Sequence, residues 1–165
     1  MDAKVNDAVI RMKQCKDQPL EQYKRLLMIE LCELAKSTLS YFASVSADEK
    51  EMTMIGWSGS AMMNCAIIDK PIHYHVKDTG LWGDAIRERR PVITNDYPNL
   101  VKATKKGYPQ GHVNVRRHFN LPIFENGRVV LVVGVGNKTE DYTKDDARNV
   151  EDLITGVWLD LKAKI

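Results

Sequence analysis

Residues 80–97 read GLWGDAIRERRPVITNDY, and two different periodicities meet inside that run. Leu81 to Arg89 reads as a short amphipathic helix, and Pro91 to Thr94 as a buried strand. The strand ends in Asn95-Asp96-Tyr97. A loop rich in Gly, Pro and basic residues follows, with KGYPQGH at Lys106 to His112. Polar and aromatic groups gathered where a strand meets a loop are what a small-molecule pocket requires. No obvious nucleophile or metal cage stands nearby, which favours binding over catalysis.

Outward from this run the pattern is mostly strand. Val115 to Phe124 and Arg128 to Gly136 form a hairpin around Glu125-Asn126-Gly127, because Asn-Gly is the strongest short turn signal. Val129 to Val135 is apolar at every position except Gly134, so this strand belongs in the middle of a sheet covered on both faces. Thr143, with Asp146 three residues on, marks the start of a final helix carrying Ala147, Val150, Leu153, Ile154, Val157, Trp158 and Leu161 on its apolar side. On the N-terminal side, Ile72, Tyr74 and Val76 alternate with His73 and His75. Leu39 to Val45 and Met52 to Trp57 alternate as a first hairpin, and Ser58 to Cys65 reads as a short helix or loop. Leu20 to Lys36 repeats apolar residues at helical steps after Pro19, and Val5, Ala8, Val9 and Met12 suit a short first helix. The expected fold is therefore α+β: a mainly antiparallel sheet with N- and C-terminal helices on one face and loops on the other. One domain over 1–165 is expected, with helices over 1–36 and the core and last helix over 38–165.

Composition narrows the function. The 165 residues are 44% hydrophobic and 28% charged, a globular profile, and the formal charge of +2 gives no reason to expect nucleic acid or an anionic membrane as partner. The three cysteines, Cys15, Cys32 and Cys65, are odd in number and lack paired spacing, so a reduced, cytoplasmic setting is expected.

GLWGDAIRERRPVITNDY, the block from Lys106 to Lys138 and the closing DYTKDDARNVEDLITGVWLDL together resemble a GAF domain, of the subgroup found in bacterial and archaeal signalling proteins. The resemblance covers most of residues 38–161. It implies an antiparallel sheet of about six strands and a ligand cavity on the face opposite the terminal helices. It also implies regulation of an output domain or partner protein, and a homodimer through the terminal helices.

Arg117 leads the candidate site residues. It shares strand parity with Phe119, Leu121 and Ile123, which turns its guanidinium towards an apolar face where it needs an acceptor. A ligand carboxylate or phosphate would serve, as would Asp96, Asp78 or a loop carbonyl. His112 and Tyr108 in the long loop, with Asn95, Asp96 and Tyr97 at the strand end, would line or close a cavity. Asn and Asp there could equally close turns. Trp57, Trp82 and Phe119 are candidate aromatic walls, with core packing the alternative for Trp82.

The cofactor stays unknown. Some relatives hold haem through a cysteine, and Cys65, in SAMMNC, makes haem a minority alternative, although a free Cys among Ala and Met is more often a small buried hydrophobe. His73 and His75 lack a third ligand at zinc spacing. Gly134-Val135-Gly136 lacks the third glycine and the βαβ setting of a dinucleotide loop. An enzymatic branch of the family reduces free methionine sulfoxide with cysteines around the cavity; loop cysteines are absent after residue 65, so a non-enzymatic sensor is expected.

Overall fold

A computed structural model describes residues 2–58, 73–108 and 111–165; Cys65 and most of the Ser58 to Cys65 segment lie outside the described residues. The chain opens with α1 (Ala3–Gln14), whose first turn is capped by the Asp2 carboxylate accepting from the Lys4 amide at 2.8 Å. Helix α2 (Leu20–Leu34) follows, with Pro19 as its N-cap. The strands are β1 (Leu39–Val45), β2 (Glu51–Trp57), β3 (His73–His75), β4 (Val92–Thr94), β5 (His118–Glu125) and β6 (Arg128–Gly136). They form one sheet in the order β3-β2-β1-β6-β5-β4, and every neighbouring pair is antiparallel. Helix α3 (Asp84–Glu88) lies between β3 and β4, and α4 (Lys144–Lys162) closes the chain.

β6 sits between β1 and β5 and is buried along almost its whole length, as its continuous apolar run requires. Its Leu131, Val133 and Val135 join Phe119, Leu121 and Ile123 of β5 under α1, α2 and α4. Val129 and Val132 face the other way, against Ala43, Val45, Met52 and the segment Val76, Ala85 and Ile86. The β5–β6 turn places Asn126 at φ 51° and Gly127 at φ 74°, the positive pair that a two-residue hairpin turn demands. Thr143 and Asp146 make the full capping box at the start of α4.

Two elements differ from the sequence expectation. The helix expected over Leu81 to Arg89 divides into a 3₁₀ turn, Leu81–Gly83, and the five-residue α3. It stops at Arg89, which adopts a left-handed φ of 53°. The strand expected from Val115 begins only at His118. Before it, the Asn137 side chain accepts from the Arg116 amide at 2.8 Å, and the Tyr97 amide donates to the Arg116 carbonyl at 2.9 Å, replacing regular strand pairing. Among the described residues no helix is long and apolar enough to cross a membrane.

Candidate functional site

The register of three strands creates a polar row on the loop-side face. Tyr41 of β1 lies opposite Gly134 of β6, and Gly134 lies opposite Asn120 of β5. A Cβ at position 134 would come 2.0 Å from Tyr41 Cε1 and 2.8 Å from Asn120 Oδ1. The missing side chain therefore lets the Tyr41 ring lie across β6. There its hydroxyl donates to Asn120 Oδ1 at 2.6 Å, while Asn120 Nδ2 meets His118 Nδ1 at 3.0 Å. The short first contact suits O–H···O and the longer second suits N–H···N, so the amide is oriented with its nitrogen towards the imidazole. An Nδ1 that accepts leaves the proton on Nε2. That Nε2 has no hydrogen-bond partner among the described residues. Burial pushes the His118 pKa down to about 4 and raises that of Tyr41, so both are neutral around pH 7.

Aromatic rings flank the row on two sides. Tyr97 meets His118 edge-on at 5.7 Å between centroids; Tyr108 stacks on Tyr97 at 5.7 Å, and His112 stacks on Tyr108 at 4.9 Å. On the other flank Trp82 sets its edge to Tyr41 at 6.0 Å and to Tyr74 at 4.7 Å. Trp82 thus packs on the loop-side core and also bounds the row.

The basic residues of the long loop hold the loop itself. Lys105 Nζ donates to the carbonyls of Tyr97, Pro98 and Leu100 and lies 4.7 Å from the Tyr97 ring centroid. Lys106 Nζ donates to the Asp78 carbonyl at 2.9 Å. Lys102 and Thr104 each reach the carboxylate of Asp84 at 2.7 Å, and Arg87 donates to it at 2.6 and 2.9 Å. Asp84 is 1% exposed. Burial pushes its pKa up, but the hydrogen bonds from Lys102, Thr104 and Arg87 outweigh that and hold it below the usual carboxylate range.

The structure thus gathers Tyr97, Tyr108, His112 and Trp82 around one face and sends the other candidates elsewhere. Arg117 Nη1 donates to the carbonyls of Lys138 and Thr139 at 3.0 and 2.6 Å, with Asp141 at 3.5 Å from Nη2. It ties the chain after β6 to the start of β5, the loop-carbonyl role, and its Nε is buried without a hydrogen bond. Phe119 is fully buried on the helical face, edge-on to Tyr142 at 5.1 Å, so its ring is on the wrong side of the sheet to line the row. Asn95 brackets the Tyr142 backbone, accepting from its amide at 2.8 Å and donating to its carbonyl at 3.0 Å. Asp96 closes a turn by accepting from the Asn99 backbone and side chain. Trp57 pairs with Tyr41 in the β1–β2 register and borders an open groove of about 690 Å³ between α2 and β2. Cys65 lies outside the described residues.

Tyr41, Asn120 and His118 escaped the sequence reading. The signal was present in β5, where His118 and Asn120 occupy the parity opposite Phe119 and Leu121, and in Gly134, a lone glycine inside a run of Val and Leu.

Comparison with known proteins gives one consistent picture. A family described as GAF domain matches residues 19–161. The methyl sulfide methyltransferase-associated sensor of Methanosarcina acetivorans is 43% identical over 152 residues. That match covers 92% of this chain but only 15% of the relative's length. Among solved structures, the GAF domain of a phosphoenolpyruvate-protein phosphotransferase from Coxiella burnetii superposes with a TM-score of 0.71 at 14% identity, covering 97% of this chain and 92% of that one. The free methionine-R-sulfoxide reductase of Neisseria meningitidis, in complex with its substrate, superposes with a TM-score of 0.70 at 13% identity, covering 99% and 93%. At such identities these structures share the fold alone.

Proposed function

The chain belongs to the GAF domain family, and from that premise we propose that it is a non-enzymatic signal-sensing domain that binds a small molecule and regulates a partner or output domain. One observation carries this reading: the part-buried, neutral row Tyr41–Asn120–His118 ends in an Nε2 donor that has no partner among the described residues, beside an aromatic rim. A donor left open beside aromatic rings is free to meet an acceptor on a bound molecule. The sensor name of the Methanosarcina relative supports the signalling half of the proposal. The regulated partner, or a second copy of this chain, would meet the terminal helices, where Leu159, off the inward-packed side of α4, is 77% exposed.

Against catalysis of the reductase kind stand the positions of the described cysteines. Cys15 follows α1, and Cys32 on α2 reaches Ser40 Oγ at 3.3 Å on the helical side of the sheet. Burial raises the Cys32 thiol pKa, away from the nucleophilic thiolate. An assay with free methionine sulfoxide and a thiol reductant is expected to give no turnover.

Haem is the second reading, favoured by His112. Its Nδ1 donates to the Val113 carbonyl at 2.7 Å, which fixes the tautomer whose Nε2 carries a lone pair, the atom that haem iron takes from a histidine. Bound haem would supply an iron centre for gas or redox signals, and His112 would orient it. Native mass spectrometry of the purified protein, with its absorbance spectrum before and after haem addition, separates the two readings. A retained organic small molecule without a Soret band supports the first. A Soret band that shifts in the His112→Ala variant supports the second. A protein that retains nothing, and that no ligand class stabilises in a thermal-shift screen, would refute both.

A further inference from the structure

The sequence left Arg117 open between a ligand anion and a structural partner, and the structure gives it two loop carbonyls. Resting on the sensing assignment above, we propose that the Tyr41–Asn120–His118 row takes an uncharged, planar ligand offering a carbonyl-type acceptor to His118 Nε2, in preference to a carboxylate or phosphate.

Three sets of observations carry it. First, the row has a direction. Tyr41 donates to the Asn120 oxygen and one Asn120 N–H donates to His118 Nδ1, so among the described residues the donors left over are the second Asn120 N–H and, at the end of the row, His118 Nε2–H. Each hydrogen bond in the row joins neutral groups, so an anion here would give up hydration for neutral donors alone, a poor exchange. An amide or ring carbonyl loses far less and is satisfied by such donors.

Second, five of the nearby cations are committed. Arg117 is held by the carbonyls of Lys138 and Thr139, and Arg87 by Asp84 with the carbonyls of Val76, Thr79 and Gly80. Lys102, Lys105 and Lys106 are spent on Asp84 and Glu88, on three loop carbonyls, and on the Asp78 carbonyl respectively. Freeing any of them for a ligand anion would break a contact that holds the loop.

Third, the walls are flat. Tyr97 stands against His118 with its rings inclined at 63°, and Trp82 stands against Tyr41 at 77°. Aromatic faces and edges at both ends of a donor row complement a π-system better than a branched aliphatic.

Matched probe pairs test the class directly. Benzamide and nicotinamide, and their acids benzoate and nicotinate, differ in charge while keeping the flat ring. Each is titrated at pH 7 into isotope-labelled protein, with the imidazole nitrogens followed by NMR. His118 is expected to carry its proton on Nε2. The two amides are expected to shift that resonance and to bind at least about fivefold more tightly than the acids, the worth of one neutral hydrogen bond against an unscreened charge. In His118→Phe, which keeps a ring and removes the donor, the amides should lose about the same factor. If that variant fails to fold, Tyr41→Phe replaces it. There Asn120 loses the partner that orients it, and discrimination between amide and acid should fall.

Acids that bind as tightly as their amides, or amides that bind without moving His118, overturn the ligand class and leave the sensing assignment standing. So does a compound from a thermal-shift screen that binds elsewhere while neither pair touches the row. If no compound of any class binds, both fall together.

Discussion

The two faces of the sheet are built from the same strands to opposite ends. On the helical face Phe119, Leu121, Ile123, Leu131, Val133 and Val135 are each 4% exposed or less. Polar atoms there are few: the Tyr142 hydroxyl shares a 2.6 Å hydrogen bond with Ser37 and accepts from the Lys138 amide, while the buried Tyr23 hydroxyl has no hydrogen-bond partner among the described residues. On the loop face a smaller apolar patch fills one end, while the other end carries Tyr41, Asn120, His118 and no aliphatic side chain at Gly134. Burying apolar area stabilises at roughly 25 cal/mol per Å², and the larger buried cluster lies on the helical face, so that face supplies most of this term. The second face is then free to hold polar groups that contribute little to stability and a great deal to recognition.

The largest effect that separates the faces is expected from Phe119→Ala. Truncating a fully buried aromatic costs about 3–5 kcal/mol, and Tyr142 loses its edge-on partner. Chemical denaturation should show the whole loss, while the His118 Nε2–H resonance of the folded fraction stays in place. A moved His118 signal would mean that the faces are coupled through β5. Next comes Gly134→Ala. In an uncrowded strand this change stabilises by roughly 0.5–1 kcal/mol. Here the new methyl meets Tyr41 at 2.0 Å, must push the ring out and leaves Asn120 Oδ1 unpaired, so a destabilisation of about 2–3 kcal/mol is expected. Gly136→Ala is the control. Two residues along the same strand, its nearest neighbour would be Leu39 Cδ1 at 3.4 Å, an ordinary contact, and the cost should be close to zero. Equal effects at both positions would break the link between Gly134 and the polar row.

The same contrast explains what could be read from the chain in advance. The helical face was legible because burial imposes periodicity. The α4 stripe, the continuous apolar run of β6, the Asn126-Gly127 turn and the Thr143–Asp146 box all stand in the structure where their patterns place them. The loop face was legible only in part. Tyr97, Tyr108 and His112 were marked by the length and aromatic content of their loop. Arg117 was marked by parity, and parity alone led towards the wrong side, since Phe119 and its companions face the helices. What one chain cannot display is cross-strand adjacency. Tyr41 and Asn120 are 79 residues apart and meet only because Gly134 lies between them in the sheet. Nor does sequence show that the loop lysines would be consumed by carbonyls of the loop that carries them.

The smallest expected effect concerns Asp84, which joins the long loop to α3 and so holds the rim above the row. Its folded pKa lies below the ordinary aspartate value of about 3.9, because the hydrogen bonds of Lys102, Thr104 and Arg87 outweigh the cost of burial. A depressed carboxylate pKa contributes stability that is fully present above the unfolded value and fades as pH falls through the folded one. Asp84 therefore adds nothing to the pH dependence between 5 and 8 and loses its contribution below about pH 4. Arg87 and Lys102 are 28% and 33% exposed, so water screens the pairs and replaces much of what protonation removes; the net loss should be roughly 1 kcal/mol. Asp84→Asn should accordingly flatten the acid limb of the stability curve. It should also open the Val101–Tyr108 backbone to proteolysis at neutral pH, while hydrogen exchange in α1 and α4 is unchanged. If exchange speeds up equally on both faces, the loop clasp belongs to the global core, and the division between a supporting face and a recognising face does not hold.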